Sequence, residues 1–161
     1  MKTEIKFAVI FVIISFIWNI IEFVAGLHST YISIHPYFVT PFFLILTTAI
    51  YTLALREKRK ELNGKITFGK AIMTGVILTL FIIILNPAFQ YIFAQFINPD
   101  FYSAFIRNDS ATGKMSREEA EEYYNFSNFV LRGSLYRFIM GLVATLIIYL
   151  FMKKDVSLRN K

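Results

Sequence analysis

The 161-residue chain has no cysteine, only four prolines and seven glycines, and few charged residues. The absence of cysteine excludes a disulfide-stapled secreted module and a cysteine nucleophile. Charged residues make up 17% of the chain and hydrophobic residues 56%, so a soluble domain of this size would lack the polar residues to cover its surface. A disordered chain and a basic nucleic-acid-binding domain do not fit this composition either. The composition predicts a membrane protein.

Charge is absent from two long stretches, residues 23–55 and 71–99. Divided at turn signals, the apolar runs give segments of about 20 residues, the length that crosses about 30 Å of hydrocarbon as a helix. Their continuous hydrophobicity favours helices over the alternating strands of a barrel. The sequence thus predicts an all-α membrane protein, one four-helix bundle domain over residues 1–161. Its four transmembrane helices are predicted at residues 5–27, 37–55, 71–93 and 129–152.

Lysine and arginine residues concentrate on one side of these predicted spans. Twelve of them lie in the N-terminus, the second connection and the C-terminal tail. By the positive-inside rule, both termini are predicted to be cytoplasmic. The first span is too long and bulky for a signal peptide, so we expect it to stay in the protein. Five basic residues of the second connection are predicted to contact anionic lipid head groups: Lys58, Arg59, Lys60, Lys65 and Lys70.

Residues 94–128 form the one extended stretch outside the predicted spans, and this stretch is too short for an independent domain. Ser116 and Glu119 have the spacing of a capping box, which predicts an acidic helix that runs on into the fourth span. The stretch is therefore predicted to be an interfacial, amphipathic helical segment on the outer side. Its glutamates are interpreted as a solvated face, with a docking surface for a partner as the alternative. Aromatic residues around Pro99 are predicted to lie at the outer head-group level: Phe96, Phe101, Tyr102 and Phe105.

A set of polar side chains lies inside the predicted spans, where they are rare. An ionised side chain at the bilayer centre costs at least about 2.5–3.5 kcal/mol, so it needs a partner. We expect Glu22 to pair with Arg132 or Arg137. A structural ion pair and a polar transport site both remain open. The candidate intramembrane site consists of Asn19, Glu22, Gln90, Arg132 and Arg137.

Two further patterns suggest chemistry but do not complete a motif. The segment from Gly64 to Ala71 approaches the phosphate-binding pattern G-x-x-x-x-G-K-[ST], but alanine has no hydroxyl for Mg²⁺ and no buried strand precedes it, so a glycine turn is predicted. His28 and His35 flank a short turn without H-E-x-x-H spacing or a supporting carboxylate nearby. They are interpreted as solvent-facing rather than as metal ligands together with Glu22.

No acid pair and no nucleophile with its base can be assembled from the remaining residues. The sequence therefore predicts no catalytic, cofactor-binding or metal-binding residues, and no enzyme activity. Hydrolytic chemistry in particular is not expected.

Small residues recur at every fourth position of the third and fourth spans. Such stripes let helices approach closely, within one chain or between two copies. Asn86-Pro87 is predicted to kink the third span. The stripes consist of Ala71, Gly75 and Thr79 on the third span and of Gly141 and Thr145 on the fourth.

Three segments together resemble domain-of-unknown-function family 4199: Leu55-Arg56-Glu57-Lys58-Arg59, Gly64-Lys65-Ile66-Thr67-Phe68-Gly69-Lys70-Ala71 and Asn98-Pro99-Asp100-Phe101-Tyr102. The resemblance extends over nearly the whole chain and is least clear in the first span. It implies a small protein of the bacterial inner membrane. It implies no activity and no functional residues.

Two functional hypotheses follow from the sequence. The first is a non-enzymatic accessory or assembly subunit that binds another membrane protein through its helix stripes and its acidic segment. The second is a small homo-oligomeric transporter or channel that uses the intramembrane polar residues as its path. Membrane lipids surround the protein in both, no cofactor is expected, and nucleic acid is not a partner.

Overall fold

The computed structural model describes the backbone of residues 1–159 and the side chains of residues 1–153. Residues 1–159 form helices joined by turns and short loops, with no strand. Four helices are long and apolar enough to cross a membrane, and each of the four predicted spans falls on one of them. These long helices are α1 (Lys2–Val24), α2 (His35–Glu61), α3 (Phe68–Ile92) and α6 (Phe126–Arg159). The short helices are α4 (Phe101–Ala111) and α5 (Arg117–Tyr123).

The long helices pack in a closed order, in which α1 contacts α2 and α3, and α6 also contacts α2 and α3. Helices α1 and α6 therefore lie diagonally across the molecule. One end of these four packed helices carries the N-terminus and the α2–α3 turn, and we call it the terminal end. The other end carries the α1–α2 turn, α4 and α5, and we call it the α4 end.

The two stripes of small residues pack against each other within the chain. A Cβ atom added to Gly75 on α3 would overlap the side chain of Thr145 on α6, and one added to Gly141 would overlap Thr79. The Thr79 hydroxyl donates to the Gly75 carbonyl at 2.7 Å, and the Thr145 hydroxyl donates to the Gly141 carbonyl at 2.7 Å. Of the two alternatives for the stripes, the structure has contact within one chain.

Charged side chains tie α1 to α2 at the terminal end. Lys58 Nζ lies 3.0 Å from Glu4 Oε1 and 3.1 Å from Glu61 Oε2, and Lys6 Nζ lies 2.5 Å from Glu57 Oε2. Glu4 is buried, so its carboxylate needs the Lys58 ammonium beside it. The Lys58 ammonium, which we assigned from the sequence to lipid head groups, is thus matched by carboxylates of its own chain.

The segment between α3 and α6 differs from the sequence prediction in two respects. The capping box of Ser116 and Glu119 is confirmed, but α5 ends at Tyr123 and a short break separates it from α6. Of the aromatic residues around Pro99, Phe96 is 76% exposed, whereas Phe101 is buried against Phe93 and Phe129. Because α4 folds back over the long helices, its aromatic side chains pack inward instead of facing lipid.

Both proline-containing long helices continue past their prolines. Pro87 lies inside α3, which runs on to Ile92 and is followed by a wider turn of π-helix at Phe93–Ile97. Pro41 lies inside α2 near its start. Each proline lacks an N–H, so each leaves one helix carbonyl without its usual donor. Both prolines lie in the half of the molecule toward the α4 end.

Candidate functional site

A cavity of about 460 Å³ lies among α1, α2, α3 and α6 in the half toward the α4 end. Aromatic rings from α4, α5 and the long helices form much of its wall. All five polar residues proposed from the sequence line it: Asn19, Glu22, Gln90, Arg132 and Arg137. Sequence reasoning therefore selected one common site, although it did not predict how its members pair.

Glu22 is the most enclosed charged group of this cavity, with its side chain 1% exposed. Its Oε1 atom accepts a hydrogen bond from Trp18 Nε1 at 2.6 Å, one turn earlier on α1. Its Oε2 atom lies 3.4 Å from His28 Nε2 and 3.6 Å from His35 Nε2. The indole thus fixes one carboxylate oxygen, and the other oxygen faces two imidazoles.

The turn after α1 brings His28 to Glu22. Gly26 has φ +76°, a left-handed conformation that glycine adopts readily, and the Leu27 N–H donates back to the Glu22 carbonyl at 2.9 Å. The chain therefore reverses within two residues of the helix end and carries His28 down into the wall of the cavity. His35 is the first residue of α2, where Pro36 favours a helix start.

The expected ion pair between Glu22 and an arginine is wrong. The ion pairs of the described residues join Glu22 to His28 and His35 and do not include Arg132 or Arg137. The reason is the packing order, because α1 and α6 lie on opposite sides of the cavity. The turn after Gly26 meanwhile supplies partners much closer to the carboxylate.

The interpretation of the two histidines as solvent-facing is also wrong. The side chain of His28 is 1% exposed and that of His35 is 14% exposed. Rings of Phe93, Phe101 and Phe105 surround His28, with centroid distances of 5.7, 5.0 and 6.1 Å. Helix α4 covers the turn that the sequence alone presented as open to water.

The two arginines face the cavity from α6. The Arg132 guanidinium lies over the Tyr123 ring, 3.1 Å from its centroid, and donates to the Tyr123 carbonyl. The Arg137 side chain passes over Gly133, one turn earlier on the same helix. Neither has a carboxylate within ion-pair distance in the described residues, so the α6 side of the cavity is positively charged.

A hydrogen bond and a ring contact join α4 to the α5–α6 break at the α4 end of the cavity. The Tyr124 hydroxyl donates to Asp109 Oδ2 at 2.5 Å, and the Tyr124 ring stacks on Phe105. Burial alone would raise the pKa of Asp109, but hydrogen bonds from Tyr124 and Asn108 and the nearby Lys114 ammonium outweigh it and lower the pKa. Burial and the Asp109 carboxylate both raise the pKa of Tyr124. Asp109 is thus an ionised acceptor at neutral pH.

Sequence reasoning assigned His28 and His35 to the wrong environment. A usable signal was present, since Gly26 directly follows the end of an apolar run and Pro36 directly precedes the next one. These residues predict a tight reversal with a histidine at each side, and Glu22 stands one turn before it. What the sequence did not reveal is that α4 folds over this reversal.

In the described residues, the architecture is helical, with four candidate membrane spans around a mainly apolar pocket that carries polar and cationic side chains. The chain belongs to the family described as "Protein of unknown function (DUF4199)", whose model matches residues 6–154. The match covers nearly the whole chain and confirms the resemblance seen in its basic turn. No curated protein and no solved structure matches the chain.

Proposed function

We propose that this protein binds a small amphipathic anion in the cavity between its long helices and carries it into or across the membrane, without chemical conversion. The observation that supports this proposal is the cavity itself, which joins two arginines to a wall rich in aromatic side chains. A volume of about 460 Å³ is within the range of small-molecule sites. Of the two hypotheses from the sequence, the cavity favours transport.

The charges of the cavity argue for an anion. Glu22 already has Trp18, His28 and His35 around it, whereas the guanidinium of Arg137 has no carboxylate partner in the described residues. A cation inside a membrane span is costly unless a counter-charge reaches it. A bound anion would supply that counter-charge, and the aromatic wall would hold an apolar body attached to it.

The proposed setting is the bacterial inner membrane, with both termini in the cytoplasm and α4 and α5 on the outer side. The support is the excess of lysine and arginine at the terminal end together with the family membership. Four basic residues at the α2–α3 turn are proposed to contact anionic lipid head groups. Lys60, Lys65 and Lys70 are exposed, whereas Arg59 is half-buried and its Nε also donates to the Gly64 carbonyl at 2.8 Å.

A binding experiment with naphthalene-2-sulfonate tests the proposal, because this probe is aromatic and stays ionised at every relevant pH. We expect saturable binding to the full chain in nanodiscs, with at least about 10-fold weaker binding in Arg137→Gln, since a charge-assisted contact is worth about 1.5–3 kcal/mol. Arg107→Gln, an exposed arginine of α4 outside the cavity, is the matched control. Equal affinity in the wild type and in Arg137→Gln would disprove an anion site at this arginine.

Uptake of the same probe into proteoliposomes then separates carriage from binding. A carrier gives protein-dependent, saturable uptake that falls in Arg137→Gln. Binding without uptake would reject the transport part of the proposal and leave a membrane receptor for the anion.

The accessory-subunit hypothesis has a specific observation of its own, the acidic face of α5. Glu118, Glu121 and Glu122 are exposed there, and Arg117 lies 2.9 Å from Glu121. Native mass spectrometry after mild extraction tests this hypothesis. Reproducible co-purification of another membrane protein would favour it, whereas a homodimer or monomer carrying a small anion would favour the carrier.

A further inference from the structure

The carboxylate–imidazole cluster of Glu22, His28 and His35 has a geometry that plain hydrogen bonding does not account for. The ligand-type atoms of these three side chains all lie within 4.8 Å of one another. His28 Nε2 is buried and lacks a hydrogen bond of acceptable geometry, although Glu22 Oε2 is only 3.4 Å away. A buried ring nitrogen without a partner is costly in a folded protein, so an unfilled coordination role is a direct explanation.

The distances within the cluster fit a metal ion of zinc size. Zinc binds imidazole nitrogen and carboxylate oxygen at about 2.0–2.2 Å in tetrahedral geometry, which places neighbouring ligand atoms about 3.3–3.5 Å apart. Glu22 Oε2 lies 3.4 Å from His28 Nε2 and 3.6 Å from His35 Nε2. Both distances from Glu22 thus match neighbouring ligands of one tetrahedral ion, and the two histidines offer ring nitrogens within 4.8 Å of each other.

Neighbouring side chains contact Glu22 and His28 in the way that hydrogen-bond partners orient metal ligands in known metal sites. Trp18 Nε1 donates to Glu22 Oε1 at 2.6 Å and leaves Oε2 for a further ligand role. Asn98 Nδ2 lies 3.4 Å from His28 Nδ1. A 180° rotation of the Asn98 amide places its oxygen next to His28 Nδ1, where it can accept a hydrogen bond from Nδ1–H. In that tautomer, His28 Nε2 has no proton and can bind a metal ion.

We propose that Glu22, His28 and His35 bind one Zn²⁺ ion, with a fourth coordination position that faces the cavity. Two imidazoles and one carboxylate with an open position are the ligand set of zinc sites that accept a water or another ligand. The ion would neutralise Glu22 within the span and add positive charge to the cavity. This site stands independently of anion binding at Arg137, which lies on the opposite side.

The chain contains a built-in reporter for this site. Trp18 is the only tryptophan, it bonds to Glu22, and its ring stacks on Phe42 at a centroid distance of 3.9 Å. Coordination of Glu22 changes the charge next to the indole and therefore its fluorescence. The experiment uses the full chain in detergent, freed of any histidine tag and treated with a chelator, and titrates it with ZnCl₂ while Trp18 emission is recorded.

We expect saturation at one Zn²⁺ per chain, with the same stoichiometry in elemental analysis of the washed protein. Each of His28→Gln, His35→Gln and Glu22→Gln should weaken binding by at least about 100-fold, because each removes one of three ligands. Glu118→Gln, which removes an exposed carboxylate of α5, is the matched control and should bind as the wild type does. Undiminished zinc affinity in the two histidine variants would assign the ion to surface residues and overturn the proposal.

A second measurement on the wild type does not depend on the variants folding. Co²⁺ in a tetrahedral site of this kind gives visible absorption bands that octahedral aqueous Co²⁺ gives only weakly. We expect those bands to appear at one equivalent and to disappear when Zn²⁺ is added. No change in Trp18 emission and no retained metal in the wild type would overturn the proposal and leave the cluster as a buried carboxylate with two imidazoles.

Discussion

The hydroxyl of Tyr124 joins the α5–α6 break to α4 by a hydrogen bond to the Asp109 carboxylate. Its 2.5 Å hydrogen bond reaches Asp109, which is 6% exposed and also accepts from Asn108. The pKa of Asp109 is lowered and that of Tyr124 is raised, so both groups keep the protonation states that the bond needs at neutral pH. The Tyr124 side chain thus contributes to the position of α4 at the cavity.

Tyr124→Phe should lower the free energy of unfolding by about 1–2 kcal/mol, because it leaves the Asp109 carboxylate without its strongest donor. Chemical unfolding in mixed micelles measures the change. Tyr123→Phe is the control, since the Tyr123 ring carries the contact with Arg132 and the substitution keeps the ring. An equal loss of stability in both variants would contradict a specific contribution of the Tyr124 hydroxyl.

The same bond has a pH dependence whose sign follows from Asp109. A carboxylate with a lowered pKa in the folded state stabilises the fold above its ordinary pKa of about 4, and this contribution is lost as the pH falls through the folded value. The stability difference between wild type and Tyr124→Phe should therefore shrink in acid below about pH 4. A difference that grows in acid would contradict this assignment.

At the scale of elements, the contact between α3 and α6 depends on small residues in register. Gly75 meets Thr145, and Gly141 meets Thr79, whose hydroxyl also lies 2.6 Å from the Tyr51 hydroxyl. Lipid provides no hydrophobic driving force between helices, so close packing and hydrogen bonds have to hold them together. This pair of helices forms one side of the closed order.

Gly75→Ala should lower the free energy of unfolding by about 1–3 kcal/mol, because the added methyl group overlaps Thr145 and forces the helices apart. Gly69→Ala is the matched control on the same helix, since nothing lies within 4 Å of its Cβ position. The control should be neutral or gain up to about 1 kcal/mol from helix propensity. Unfolding in bicelles compares the two variants, and a neutral Gly75→Ala would refute the close approach.

Helix positions could be predicted well, whereas the pairing of polar groups could not. Apolar runs and the basic turn predict α1, α2, α3 and α6, because span length and charge are local properties of the sequence. The partner of Glu22 depends instead on which helices are neighbours and on how α4 folds over the α1–α2 turn. Since no local pattern encodes that packing, the sequence points to Arg132 or Arg137 instead of His28 and His35.

At the scale of the whole molecule, the terminal end is closely packed and the α4 end contains the cavity. Ion pairs among Glu4, Lys58 and Glu61 tie α1 to α2 at the first, and the apolar core continues inward from there. The cavity occupies the second. The basic residues on exposed positions also concentrate at the terminal end, which predicts its orientation toward the cytoplasm.

Because the chain has no cysteine, single introduced thiols can test that orientation directly. Lys65→Cys at the terminal end and Glu118→Cys on α5 are both at exposed positions. A membrane-impermeant maleimide should label Glu118→Cys in intact cells and Lys65→Cys only in inverted vesicles. The opposite pattern would reverse the proposed topology, and labelling of both variants from one side would reject the single membrane crossing by α3 that separates them.

The closely packed residues at the inner end of the cavity determine how the flux of a transported solute would depend on its concentration. In the part of the chain that the structure describes, the cavity stops at Phe11, Tyr51 and Ile82, and closely packed side chains such as Ala8, Ala54 and Leu78 lie beyond it. A conformation with such a floor offers no continuous aqueous path. Carriage of the proposed anion would therefore proceed one molecule per conformational cycle, with a flux that levels off at high anion concentration instead of the linear flux of an open pore.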